Sequence, residues 1–392
     1  MSSGGGSAAS ERDLRLDFFR GMALFSIFID HVDWNGFLAQ FTIQAIGFSD
    51  AAEVFILISG YTAGMVYGRA IERQGWLMAG MRIYHRVWQL YVAHVFLFMQ
   101  FMATVAYQVH ALNNSIYPEE FRAAEFLKEP GLAVIKALTL QFQPEFMDIL
   151  PLYIVLLAAL PFVLAGFRLW PTGVLAAVFG LWCAVQLNKR IALGAYPGPH
   201  KVWFFNPFGW QALFFLGAWC GWRGITGGIP WLTNRWLFRL AAAGALAAFL
   251  IRVSWTVHGL YDPFPALFVK TLWPLMSKTN LSPFRFASIL VLTLLVVRLI
   301  PAQAAFLSGR VAHPFIICGR HSLHIFCLGI LLATIGGLVI NEFLGGALLR
   351  CAVVMAGIAI MIGTAALMDW FNAAQNRSGS RVLRTSATDK GV

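Results

Sequence analysis

Apolar runs of roughly 17 to 25 residues recur along almost the whole chain, each long enough to span about 30 Å of hydrocarbon as a helix. The stretch ILPLYIVLLAALPFVLAGF, Ile149 to Phe167, shows the pattern. Only 12% of the 392 residues are charged and 59% are apolar, whereas a soluble domain is about 25% charged. Such a chain reads as an integral membrane protein, with bilayer lipid as its surroundings. A transmembrane barrel would need alternating segments of about ten residues, and these are absent.

Run lengths and interruptions predict about ten transmembrane helices, near Leu16 to Trp34, Ala51 to Tyr67, Met81 to Val109, Ile149 to Phe167, Pro171 to Leu187, Pro207 to Trp222, Trp236 to Trp255, Phe284 to Ile300, Ile316 to Ile340 and Gly345 to Phe371. The expected fold is an all-α polytopic bundle with a polar cavity. One transmembrane domain over 13–372 would lie between a disordered N-terminal tail at 1–12 and a disordered cytoplasmic tail at 373–392. An even number of spans puts both termini on one side. Placing them in the cytoplasm puts Arg69, Arg73, Arg82, Arg86, Arg168, Arg223, Arg235, Arg239, Arg298 and Arg310 inside and leaves fewer basic residues outside, as the positive-inside rule requires. The Ser/Gly-rich start is followed by a full-length apolar run without a small-residue cleavage site, which reads as an uncleaved first helix.

The net charge of +11 is spread among short loops and forms no single stripe, so the balance reflects topology and not nucleic-acid binding. The five cysteines lie in or beside apolar runs without paired spacing and read as packing residues. Two outer connections are long: His110 to Asp148, whose middle suits amphipathic surface helices, and His258 to Arg285, rich in aromatics and prolines.

Charge inside an apolar run is expensive and therefore marks function. On the first helix Arg20 and His31 are eleven residues apart, almost three turns, so they share a face about 16 Å apart along the axis. Arg20 belongs to the inner end and His31 to the outer. The plain alternatives are a snorkelling arginine and a capping histidine. Asp50 and Glu53 open the second helix at the level of His31, where a carboxylate can orient an imidazole for general-base work, or can simply cap the helix. Asp30, Tyr61, Asp148, Tyr153, Asn206, Gln211, Lys278, Asn280 and Arg285 are further polar candidates for an outer cavity that takes substrate. Arg320, His321 and His324 form a cationic patch at the start of the ninth helix. Cys318, His321, His324 and Cys327 fan around half a helix and do not converge on one ion, so no metal is expected.

The run RDLRLDFFRGMALFSIFIDHV…FSDAAEVFILISGYTAGMVYG, with NPFGWQALFFLGAWCGW, NLSPFRFASIL and CGRHSLHIFCLGILL further on, resembles OpgC-type proteins. These are inner-membrane enzymes that succinylate osmoregulated periplasmic glucans. They resemble the wider acyltransferase-3 superfamily, in which an arginine and, after ten intervening residues, a histidine mark the first helix. The resemblance covers Asp13 to about Trp370. It implies succinyl-CoA as a cytoplasmic donor, a periplasmic glucan hydroxyl as acceptor, and a bacterial inner-membrane location. It also implies that Arg20, Arg69, Arg73, Arg82, Arg86, Arg320, His321 and His324 meet coenzyme A, while His31 acts as base beside Asp50 or Glu53. Direct transfer and a covalent acyl intermediate both remain open, as do other acyl donors. A transporter would also keep charge inside the bundle, but no inverted repeat is visible to support one.

Overall fold

The computed structural model describes residues 13–33, 36–112, 119, 121–198, 201–226, 233–256, 273–343 and 345–388. Helices account for the architecture: α1 (Leu14–Val32), α2 (Ala51–Leu112), α3 (Ala124–Lys128), α4 (Pro130–Leu138), α5 (Ile149–Leu169), α6 (Pro171–Leu187), α7 (Pro207–Thr226), α8 (Arg235–Thr256), α9 (Pro283–Leu299), α10 (His313–Arg320), α11 (Ser322–Glu342) and α12 (Ala347–Thr388). Among the described residues the only β pairing is two isolated bridges, Phe142 with Tyr196 and Gly194 with Val202.

Local chemistry sets many of the boundaries. The Asp13 carboxylate caps α1 by accepting from the Arg15 backbone N–H at 3.0 Å. Proline opens α4, α6 and α9, where its missing N–H costs nothing. At α7 the Asn206 Oδ1 accepts from the Phe208 N–H at 3.2 Å.

Five helices are long and apolar enough to cross a membrane: Ala51–His110, Ile149–Leu169, Arg235–Ser254, Ser322–Glu342 and Ala347–Gln375. This differs from the ten separate spans expected. The second and third expected helices are both present within α2, as two helices that meet at a kink where Gly75 leaves helical geometry (φ 81°, ψ 172°). Glycine adopts that left-handed backbone without a Cβ penalty, so the connection between them is short. The ninth expected helix breaks at His321 into α10 and α11. The helices α6 and α9 each have 17 residues, at the lower limit of a full span. Charges inside α1 lower its hydropathy. Helical backbone also continues through 373–388, where a tail was expected. Two helices, α3 and α4, lie in the connection between the third and fourth expected spans, where helices were expected. Most of the aromatic-rich connection, 257–272, and the expected N-terminal tail lie outside the described residues.

Glycines set the closest helix contacts. Gly60 and Gly64 of α2 face the backbones of Phe214 and Ala218, while Gly217 and Gly221 of α7 face those of Leu57 and Tyr61. Both helices therefore carry the small-xxx-small spacing that lets backbones approach in a membrane. A second crossing sets Gly21 of α1 against Phe315 and Gly319 of α10 against Asp17. These crossings pack α2 on α7 and α1 on α10, and polar residues of α1 and α2 line the cavities described below.

Replacing Gly64 or Gly217 with leucine should cost about 3 kcal/mol or more, because the side chain would meet backbone and not a movable side-chain tip. Thermal melting in detergent checks this. Gly80→Ala, where a Cβ meets nothing within 4 Å, is the control and should leave the melting temperature unchanged or slightly raised.

Candidate active site

The apolar face of α1 leaves two polar stations open to cavities. One cavity of about 180 Å³ is lined by Arg20, Ser59, Thr62, Tyr67, Arg86, Tyr153, Ser322 and Phe326, among others. The other, about 60 Å³, is lined by Asp30, His31, Asp50, Phe146, Asp148, Phe205, Lys278 and Phe326. Phe326 of α11 belongs to both walls, and its ring stacks on Phe55 with centroids 6.3 Å apart. The arginine and histidine of α1 therefore open onto two neighbouring cavities that share an aromatic wall.

The imidazole of His31 stacks on Phe146 at 4.2 Å between centroids. Phe146 holds its backbone in the left-handed region (φ 67°), a conformation that costs a bulky residue of order 1–3 kcal/mol and persists only where its surroundings impose it. Here Arg122 pairs with Glu145 at 2.7 Å and the Glu145 N–H donates to the Phe121 carbonyl, which fastens the segment. The His31 Nδ1 is buried without a hydrogen-bond partner among the described residues. Next to it, Asp30 is held by Thr42 and Gln44, each donating to Oδ1 at 2.9 Å. Burial pushes Asp148 up to about 6, with the nearby Lys278 cation pulling the other way.

The carboxylate–imidazole pair expected from sequence does not form. Asp50 and Glu53 turn instead to Arg285 of α9, whose guanidinium donates from Nε to Glu53 at 2.6 Å and from a terminal nitrogen to Asp50 at 2.8 Å. Lys278 adds a second cation on Asp50 at 2.7 Å, and Glu53 caps its own helix by accepting from the Asp50 N–H at 2.9 Å. The physical reason is charge balance: two carboxylates this deeply buried need two cations, and a neutral imidazole supplies none. Burial alone would raise the Asp50 carboxyl, but Lys278 and Arg285 hold it well below the ordinary carboxylate range.

Several expected substrate ligands turn out to hold the scaffold. The segment carrying Lys278 is stapled by four side-chain donors: Trp210 to the Lys278 carbonyl, Asn206 to the Asn280 side chain, Gln186 to the Asn280 carbonyl and Trp182 to the Leu281 carbonyl, all at 2.9 Å. Gln211 donates to the Val178 carbonyl at 2.8 Å. Asn206, Asn280, Gln211 and Arg285 therefore position Lys278 and the helices around it. Tyr61 lies beside Gly224 in the last turn of α7, away from the His31 cavity, and Tyr153 lines the Arg20 cavity. Asp30, Asp148 and Lys278 do meet at His31.

At the other end, Arg20 and Arg86 share a cavity, whereas Arg73, Arg82 and His324 are exposed and Arg69 lines neither cavity. Arg320 and His321 engage Asp369 of α12 at 3.2 and 2.8 Å, and Arg320 also lies 4.0 Å from Asp17. These contacts link the break between α10 and α11 to α12. Asp369 escaped sequence reasoning although an acid within ALMDWF carries the same signal as Asp50. Phe146 and Phe326 carry no comparable signal, because one phenylalanine among 34 looks like the rest.

Removing the central cation tests the network. Arg285→Met should destabilise the protein by about 3–5 kcal/mol by leaving buried carboxylates uncompensated. A triple variant that also carries Asp50→Asn and Glu53→Gln should recover most of that loss on thermal melting.

No curated protein and no solved structure matches this chain. A family model described as OpgC protein matches residues 12–373. With nearly its whole length covered, the chain belongs to the OpgC family.

Proposed function

We propose that this protein is a membrane acyltransferase that moves a succinyl group from succinyl-CoA to glucose hydroxyls of osmoregulated periplasmic glucans. Family membership supports glucan modification. The observation that carries the reaction is the pair of adjoining cavities, with Arg20 and Arg86 in one and His31 in the other. In this reading the Arg20 end and both termini face the cytoplasm of a bacterial inner membrane, and the His31 end faces the periplasm.

The two guanidinium groups suit the phosphates of coenzyme A through charge-assisted hydrogen bonds. The pantetheine arm would then run past Phe326 and present its thioester to His31. There the acceptor oxygen attacks the thioester carbonyl carbon while its proton passes to the imidazole. The carbon–sulfur bond breaks as the tetrahedral intermediate collapses, and the leaving thiolate recovers a proton from the imidazolium. Stacking on Phe146 fixes the ring plane for both transfers. Burial keeps the base free of competing hydrogen bonds, as the unpartnered Nδ1 indicates.

Succinyl carries a second carboxylate, which needs a cation. Arg285 is enclosed by two carboxylates, whereas Lys278 lines the cavity and its ammonium has three donors, of which Asp50 engages one. We assign the acyl carboxylate to Lys278.

Three substitutions test the scheme in purified protein. His31→Ala should lower kcat by about 10²- to 10⁴-fold while leaving coenzyme A affinity unchanged, and retained transfer would remove His31 from the mechanism. Arg20→Ala and Arg86→Ala should each raise the donor KM about tenfold or more, the loss expected for a hydrogen bond to a charged group. Lys278→Met should erode the preference for succinyl-CoA over acetyl-CoA by about tenfold. An unchanged ratio would place the acyl carboxylate elsewhere.

A further inference from the structure

The cavity at His31 is about 60 Å³. An acceptor chain of several glucose units extends beyond so small a space and needs a second place to sit. A larger bowl of about 590 Å³ lies outside the helical bundle, lined by Lys136, Thr139, Gln141, Tyr196 and Trp203 together with the backbone of 193–195 and Gly198. Its size falls within the usual range of small-molecule sites, about 300–1,000 Å³.

The bowl is built. The Tyr196 N–H donates to the Gln141 carbonyl at 2.9 Å, the Ala195 N–H to the Lys201 carbonyl at 2.8 Å and the Trp203 N–H to the Leu193 carbonyl at 3.0 Å. Lys136 holds the Gln141 side-chain oxygen at 3.0 Å, and Tyr196 meets Phe142 edge to face at 5.6 Å. Trp203 is 3% exposed, and its indole Nε1–H is buried with no hydrogen-bond partner among the described residues. A buried donor left unpaired is costly, and it belongs to a residue that lines the bowl.

Two separate segments join the bowl to the His31 cavity. Gln141 lines the bowl and Phe146 the cavity five residues later, while Trp203 lines the bowl and Phe205 the cavity two residues later. Two residues of extended chain reach at most about 7 Å, so the spaces are neighbours. Aromatic rings with a polar edge, a side-chain amide, a hydroxyl and an ammonium suit a ligand that has both C–H faces and many hydroxyls.

We infer that this bowl is a glucosyl-binding subsite that holds one unit of the acceptor chain while a hydroxyl of an adjoining unit reaches His31. The inference rests on the glucan-acylation reading above. It adds a binding site for the acceptor that is distinct from the reaction centre.

The test is calorimetric binding of linear glucose oligosaccharides of two to eight units to the full-length protein in detergent, without donor. Wild type should bind with affinity that rises with chain length. Tyr196→Ala and Gln141→Ala should each weaken binding about tenfold and raise the glucan KM while leaving the donor KM unchanged. Tyr196→Phe, which keeps the ring, should lose less, and melting temperatures identify any variant that fails to fold. Binding by wild type that Tyr196→Ala and Gln141→Ala leave unchanged would overturn the subsite and spare the acylation reading. No binding of any oligosaccharide by wild type would overturn the subsite and, with it, glucan as the acceptor.

Discussion

Everything at the His31 end depends on one buried ion network. Asp50 and Glu53 at the start of α2, Arg285 on α9 and Lys278 on the connection before it bring two negative and two positive charges together within 2.6–2.8 Å. Isolated, any of these charges would be prohibitively costly at such depth. Paired, they balance, and the geometry of the pairing fixes the start of α2 against the start of α9. Because Arg285 serves both carboxylates, Lys278 is shared between Asp50 and the cavity. The network thus leaves the Lys278 ammonium lining the His31 cavity, on a segment further secured by Trp182, Gln186, Asn206 and Trp210.

The glycine crossings do comparable work along the helix axes. Close contact of α2 with α7, and of α1 with α10, allows backbones rather than long side chains to set the spacing. Between the helices, the two cavities are lined by polar and aromatic residues, among them Arg20, Arg86, His31 and Phe326. In the proposed reaction this arrangement separates phosphate recognition from chemistry, so that the charged end of the donor and the reacting carbonyl meet different surroundings.

Much of this was legible in the sequence because a membrane makes charge conspicuous. Arg20, His31, Asp50, Glu53 and Lys278 all drew notice as polar residues among apolar ones, and all lie at the two cavities or in the adjoining network. Partner choice was not legible: Arg285 lies far along the chain from Asp50, and no local pattern foretells which buried acid it will neutralise. Asn206 and Asn280 looked like ligands because sequence records polarity but not whether a backbone carbonyl already satisfies it. The kink at Gly75 and the break at His321 depend on local backbone torsions, which hydropathy does not report. Aromatic residues such as Phe146, Phe326 and Trp203 vanish among the 15% aromatic content, although two of them wall the His31 cavity.

The central claim is that an acyl group passes between the two cavities from a donor on one side of the membrane to a glucan on the other. Its most direct test places purified protein in sealed vesicles, with succinyl-CoA confined to the side exposing the Arg20 end and glucan to the other, followed by mass spectrometry of the glucan. The account predicts a mass increase of one or more succinyl groups, which requires both the protein and His31. Glucan of unchanged mass, recovered beside intact succinyl-CoA from vesicles that hold folded protein, would contradict it.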